Sequence, residues 1–285
     1  MGINISKVAF TYFPSRKEEK NKYILKDINL KINDKNEFIA IVGHTGSGKS
    51  TLIQLMNALL VPTLGSVDVD GNVVTYKKQK KLKDIRKKIG VVFQFPEYQL
   101  FEETVLKDVS FGPKNYKLDN PEEKAKKAMS LLHLDEKFYE KHPLLLSGGE
   151  MRKVAISGIL ASEPEILILD EPTVGLDPFT KNELISLLED IAKEKTVIFV
   201  THDMDVLWRV ATRVIVLDDK KVVYDGDKYE LFKDEEFLHD HSLDLPEIVK
   251  TLKALNQKLN TKINVYQDNV EDATKAIVEA MKHEQ

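Results

Sequence analysis

The chain has 285 residues, 42% hydrophobic and 31% charged, with 42 Lys+Arg against 46 Asp+Glu for a net charge of -4. Such a composition suits one large domain or two modest ones, excludes a disordered chain, and gives no sign of a dominant nucleic-acid footprint. There is no cysteine, which excludes disulfide scaffolds, thiolate metal sites and cysteine nucleophiles together.

Short β-rich runs open the chain at Ile3 to Phe10, Ile28 to Ile32 and Phe38 to Val42. The polar stretch 14–23 reads as a loop to which no function is assigned. Gly43-His44-Thr45-Gly46-Ser47-Gly48-Lys49-Ser50 comes next, and Leu52, Leu55, Met56 and Leu59 then follow a helical period. A basic run covers Lys77, Lys78, Lys80, Lys81, Lys83, Arg86, Lys87 and Lys88. It reads first as a solvated helix or loop near anionic headgroups, with nucleic acid as the weaker alternative. Further strand-length runs appear at Ile89 to Phe93, Ile166 to Leu169, Val197 to Val200 and Val214 to Leu217. Unalternating apolar runs of this length suit strands covered on both faces, hence a largely parallel sheet.

From Glu102 to Ala161 the pattern is mostly helical, with a helix start at Pro121-Glu122-Glu123 and an apolar face of Ala125, Ala128, Met129 and Leu132. Beyond Phe232 there is no strong strand signal, and residues from Asp234 onward carry 11 acidic against 6 basic side chains. Two helical stripes remain there: Leu245, Ile248, Val249, Leu252, Leu255 and Leu259, then Val270, Ala273, Ile277, Ala280 and Met281. They read equally as a helical cap or as an association surface. Apolar runs reach only about five residues, against the roughly 18 that a membrane helix needs. No charged-then-apolar leader opens the sequence, so a soluble, non-exported protein is expected.

The glycine-rich segment fits GxxxxGK[ST] in full. Its glycines let backbone N–H groups converge on phosphate oxygens, and the following helix start adds a favourable dipole. Lys49 would reach the β- and γ-phosphates, and the Ser50 hydroxyl would ligate Mg²⁺. Ile166-Leu167-Ile168-Leu169 ends in Asp170-Glu171, which sets carboxylates at the C-terminal end of a strand, where open α/β sheets bind ligands. Asp170 would hold the Mg²⁺, and Glu171 would position or deprotonate the attacking water. Gln94 and His202 follow other strands and would reach the same crevice.

Leu146-Ser147-Gly148-Gly149-Glu150 resembles the LSGGQ signature of ABC-type ATPases, with Glu150 where the common pattern has Gln. Val174-Gly175-Leu176-Asp177 resembles that family's D-loop, His202 its switch histidine and Gln94 its Q-loop. The resemblance spans about Ile3 to Phe232. It implies an α/β fold: a P-loop core with a mostly parallel sheet, an antiparallel β subdomain, a helical subdomain at about 102–161, and a small C-terminal helical extension. The implied division is 1–232 for the ATP-binding domain and 233–285 for a dimerising extension.

The resemblance further implies ATP and Mg²⁺ as cofactors, with Tyr12 stacking on adenine. Gly43, His44, Thr45, Gly46, Ser47, Gly48, Lys49, Ser50 and Thr51 would cradle the phosphates. Ser50, Gln94 and Asp170 would serve the metal, Glu171 would act as base, and His202 with Gln94 would sense the γ-phosphate. Ser147, Gly148 and Gly149 would contact a nucleotide held by a partner, with Asp177 at the dimer seam.

Residues 93–105 (Phe-Gln-Phe-Pro-Glu-Tyr-Gln-Leu-Phe-Glu-Glu-Thr-Val) are similar to the ATPase pair of energy-coupling factor importers, more to its second member. That likeness implies a second homologous ATPase, a transmembrane coupling subunit and a substrate-binding membrane subunit as partners, with no nucleic acid. It places the chain peripherally on the cytoplasmic face of the membrane. The alternatives are the ATPase of another transporter, a soluble mechanochemical ATPase of repair or translation, and a nucleotide-binding subunit that does not hydrolyse.

Overall fold

The computed structural model describes residues 2–15, 22–33 and 36–282; residues 16–21 of the polar 14–23 stretch lie outside the described residues. The first third of the chain runs β1 (Ile3–Phe10), β2 (Leu25–Ile32), β3 (Phe38–Val42), α1 (Lys49–Met56), β4 (Leu64–Val69), β5 (Asn72–Val74), α2 (Leu82–Lys88) and β6 (Ile89–Val92). Three helices follow, α3 (Val105–Asn115), α4 (Pro121–Leu131) and α5 (Gly148–Leu160). The chain then alternates through β7 (Ile166–Asp170), α6 (Pro178–Ala192), β8 (Thr196–Val200), α7 (Met204–Val210), β9 (Arg213–Asp218) and β10 (Lys221–Asp227). It ends in α8 (Lys228–Lys233), α9 (Glu235–Asp240), α10 (Glu247–Leu259) and α11 (Val270–Lys282).

Two sheets result. The six-stranded sheet has the order β10-β9-β3-β8-β7-β6, parallel except where β10 turns back on β9. Every residue of β3, β6, β7 and β8 is buried, as strands covered on both faces require. The second sheet, β2-β1-β4-β5, is antiparallel throughout. β2 alternates buried and exposed positions, the mark of a sheet with one wet face. One face of that sheet shares a core with α1 and the parallel sheet, through Ile5, Leu25, Ile53 and Ile41.

A second core joins the three central helices to the far face of the parallel sheet, with Val109, Met129 and Val154 packed with Leu167 and Phe199. A third core runs past Phe232: Ala40, Val42 and Val216 pack with Trp208, Phe232, Leu238 and Val249. The tail is fastened by polar contacts as well. Trp208 Nε1 donates to the Gln267 carbonyl at 2.7 Å, and the buried Lys228 ammonium donates to the Trp208 carbonyl at 2.7 Å. The stripe on α10 buries Val249 and Leu252 and leaves Leu259 43% exposed. The stripe on α11 buries only Ala273, with Val270 73% and Met281 55% exposed.

The basic run is only partly solvated. Lys83 donates to the Asn115 carbonyl at 2.7 Å, Arg86 to the Ala58 carbonyl at 2.8 Å, and Lys88 pairs with Glu165 at 3.0 Å and with Asp70. These three tie α2 into the fold, and of the rest of the run Lys77, Lys78, Lys80, Lys81 and Lys87 are all exposed.

Candidate functional site

Parallel strands deliver their following loops to one edge, and four of them meet there. The turn after β3, Gln94 after β6, Asp170-Glu171 at the end of β7 and His202 after β8 line one open cleft of about 470 Å³. Its wall comprises Ile24, Thr45, Gly46, Gly48, Lys49, Ser50, Thr51, Gln94, Asp170, Glu171, Val174 and His202.

The glycines of the turn are required by the chain itself. Gly43 has φ +146° and Gly48 φ +104°, and a Cβ at Gly43 would lie 2.1 Å from the Leu217 carbonyl oxygen. The Lys49 ammonium closes the turn by donating to the carbonyls of Gly43 at 2.7 Å and His44 at 3.1 Å. Burial pulls that ammonium below the usual lysine value, opposed by the charges of Glu171 and Asp170. Asp170, 6% exposed, is pushed above the usual carboxylate value by burial, against a hydrogen bond from Ser50 and the Lys49 charge. Glu171 sits at φ +49°, a strained conformation for a non-glycine residue. Its two carboxylate oxygens accept from His202 Nδ1 at 2.9 and 3.0 Å. A carboxylate can only accept, so the proton of that bond rides on Nδ1.

Ser50 and Asp170 form a compact, hard-oxygen donor pair that fits Mg²⁺ coordination, with the Gln94 amide on the same wall. Among the described residues, no group of three His, Cys, Asp or Glu side chains could hold a metal ion unaided. Phosphate oxygens would have to complete the shell, as Mg²⁺ sites commonly require.

Other sequence-predicted residues lie elsewhere. Tyr12 is exposed and outside the cleft lining; its hydroxyl lies 3.3 Å from Thr51 Oγ1 and its ring meets Phe10 edge-on at 4.9 Å. His44 turns away from the cleft, with Nε2 3.2 Å from Asp218. Ser47 is buried beneath the turn, its hydroxyl without a hydrogen-bond partner among the described residues.

Ser147, Gly148, Gly149 and Asp177 line a second cleft of about 420 Å³, none of whose wall residues belongs to the first. Ser147 caps α5 in a reciprocal box with Glu150. The Ser147 N–H and hydroxyl both donate to Glu150 Oε2 at 2.8 Å, and the Glu150 N–H donates to Ser147 Oγ at 3.3 Å. These bonds, the Ser147 N–H foremost, hold the Glu150 carboxyl below its ordinary value. Asp177 caps α6, accepting from the Phe179 and Thr180 N–H groups at 3.0 and 3.1 Å and from the Thr180 hydroxyl at 2.6 Å. The Thr180 hydroxyl is the main cause of its lowered carboxyl value.

Arg152 escaped the sequence reading. Only 3% exposed, its guanidinium donates to Glu97 at 2.9 and 3.3 Å, to the Pro172 carbonyl at 2.9 Å and to the Val174 carbonyl at 2.7 Å. One side chain thus ties the segment after Gln94, helix α5 and the turn after Glu171. Its position two residues past Glu150 on α5 was the available signal; its partners, up to 55 residues away, were not.

A family model described as ABC transporter matches residues 25–174. The chain is 43% identical over 284 residues to an energy-coupling factor transporter ATP-binding protein EcfA2 of Clostridium tetani, covering 98% of this chain and 96% of that one. It is 49% identical over 251 residues to a protein of the same name from Enterococcus faecalis, covering 86% of each. Among solved structures it is similar to cbiO1 of Clostridium perfringens, part of the ABC transporter complex cbiONQ. The TM-score is 0.72 at 34% identity, over 90% of this chain and 95% of that one. The dimeric cassette MJ0796, in a post-hydrolysis state with ADP and Pi, superposes with TM-score 0.68 at 33% identity, over 79% of this chain and 98% of its own.

Proposed function

The chain belongs to the ABC transporter family of ATP-hydrolysing cassettes, and on that premise we propose that it is an energy-coupling factor ATPase subunit. It powers uptake of a vitamin or metal ion through separate membrane subunits. The observation that carries this reading is the division of the site into two clefts on one chain, together with the names of the full-length relatives.

ATP lies with its phosphates over the turn after β3, where the N–H groups at the start of α1 and the Lys49 ammonium meet their charge. Lys49 gives up its carbonyl partners for phosphate oxygens, a favourable exchange for a partly desolvated cation. Mg²⁺, held by Ser50, Asp170 and the Gln94 side chain, would supply charge neutralisation at the β- and γ-phosphates. Glu171 orients the attacking water and takes its proton, and the His202 ring, held against Glu171 through Nδ1, stands on the cleft wall beside the γ-phosphate. Tyr12 stands at the rim beside Thr51, exposed and able to stack on adenine.

The second cleft serves a neighbouring subunit. A Cβ at Gly148 would meet nothing within 4 Å among the described residues and its φ is not left-handed, so their packing does not demand glycine there. Close approach of a partner's triphosphate supplies the demand, and the start of α5 supplies N–H donors to it. A homologous ATPase is the partner.

The membrane side falls to the surface following Gln94. Phe95, Tyr98, Phe101 and Phe111 are all exposed there, a cluster that a monomer does not leave to water without cause. It receives a helix of the transmembrane coupling subunit. No helix among the described residues is long and apolar enough to cross a membrane. As in a transporter of the kind its relatives are named for, the translocation path lies in partners and the chain sits peripherally on the cytoplasmic face.

The test is Glu171→Gln in the assembled transporter. ATP binding persists and turnover falls by about 10²–10⁴-fold; wild-type turnover would refute the role of Glu171.

A further inference from the structure

Outside both clefts, one polar bridge joins segments far apart in sequence. β3 and β9 are parallel with Val42 opposite Val216. Carrying that register two residues further sets His44 of the phosphate-binding turn, just past the end of β3, against Asp218, the last residue of β9. There His44 Nε2 lies 3.2 Å from Asp218 Oδ1. The other Asp218 oxygen accepts from His241 Nδ1 at 2.6 Å. His241 caps α9 beyond the main sheet, and its ring packs on Phe237 at a centroid distance of 4.2 Å. The Asp219 N–H also donates to Asp218 Oδ1 at 2.8 Å, so the carboxylate is held from its own backbone as well.

Asp218 therefore has one histidine on each oxygen, one from the nucleotide turn and one from the C-terminal extension. Its carboxyl is held below its ordinary value, chiefly by the His241 hydrogen bond, so it is the charged form that makes both contacts. The other nitrogen of His44 lies 2.8 Å from the carbonyl oxygen of Thr45. Thr45 lines the cleft, so the orientation of this imidazole bears on the backbone over which phosphates are to lie.

We propose that Asp218 is a positioning residue that clamps His44 to His241, so that the C-terminal extension sets the affinity of the phosphate-binding turn for ATP. The inference rests on ATP binding at residues 43–51 and goes beyond it by giving the extension a hold on that site. Rearrangement of α9, as on pairing with another subunit, releases or tightens the turn through one carboxylate. The chemistry itself, at Glu171 and His202, is untouched.

The experiment measures KM for ATP and kcat in the assembled transporter for wild type, Asp218→Ala, His241→Ala, His241→Asn and the Asp218→Ala/His241→Ala double variant. Asp218→Ala raises KM by about threefold to tenfold with kcat within about twofold, the size of coupling seen between residues in one hydrogen-bond network. His241→Ala raises KM in the same direction and by less. His241→Asn, whose amide still donates from the place of Nδ1, restores the wild-type KM. The double variant is no worse than Asp218→Ala alone. Unchanged KM in both single alanine variants, or full additivity in the double, overturns the proposal. Lys49→Ala separates the two levels: if it leaves nucleotide binding intact, the ATP-site reading fails, whatever the Asp218 series shows.

Discussion

The two clefts are built from the same materials and hold their charge in different ways. In the first, Lys49 and Asp170 are displaced from their ordinary protonation values by burial. In the second, Glu150 and Asp177 are instead held toward their charged forms by hydrogen bonds that already satisfy them. Burial without full compensation stores electrostatic capacity for an incoming charge, whereas a saturated cap holds a helix start rigid and leaves its N–H groups facing outward. One cleft is therefore suited to bind and react, the other to present a fixed surface to something bound elsewhere. On the function proposed above, neither is a complete ATPase site by itself.

The largest effect that sharpens this contrast is on the reactive side. Lys49→Ala removes the partly desolvated cation and is expected to lower turnover by at least about 10²-fold, as loss of a phosphate-stabilising donor does. Nucleotide affinity falls with it, measurable by equilibrium binding. On the presenting side, Gly148→Val should lower turnover of the assembled transporter by about 10–10²-fold while changing the stability of the chain by less than about 1 kcal/mol. A large loss of stability there would show that glycine is needed by the fold itself, and the contrast would break.

How much of this could be read from sequence depended on where each residue's partners lie. Phe38 to Val42 was legible to the residue, because a strand buried on both faces is a continuous apolar run. β4, β5 and β10 were not, because their mixed residues, such as Gly65, Ser66 and Asp68 in β4, carry no such pattern. The turn at 43–50 announced itself, since its backbone path depends on local glycines. Arg152 and Asp218 did not. Arg152 works through backbone carbonyls of Pro172 and Val174, and Asp218 through a strand register that joins positions 44 and 218. The tail stripes were visible, but not that Val249 would share a core with Trp208.

Arg152 links the clefts, so weakening its hold tests their rigidity. Glu97→Ala leaves a buried guanidinium without its carboxylate and should cost about 3 kcal/mol of stability; Glu97→Gln, which still accepts, should cost less. Urea unfolding of the two variants measures the difference.

The smallest effect concerns Glu150. Gln also closes a capping box, so Glu150→Gln should change stability at neutral pH by less than about 0.5 kcal/mol. The sign of its pH dependence follows from its lowered carboxyl value. The stabilisation is present above the unfolded glutamate value of about 4.3 and is lost as pH falls through the folded value. The variant should therefore lose less stability than the wild type between about pH 5 and pH 3, measured as urea midpoints.

The most direct measurement is a structure of the assembled transporter carrying Glu171→Gln and trapped with ATP. Lys49 should lie against the triphosphate of its own turn, while the Ser147 hydroxyl and the Gly148 and Gly149 N–H groups stand about 3 Å from the γ-phosphate bound by the facing subunit. Signature residues facing solvent, or touching no nucleotide in the closed assembly, would contradict the division of the site between two chains.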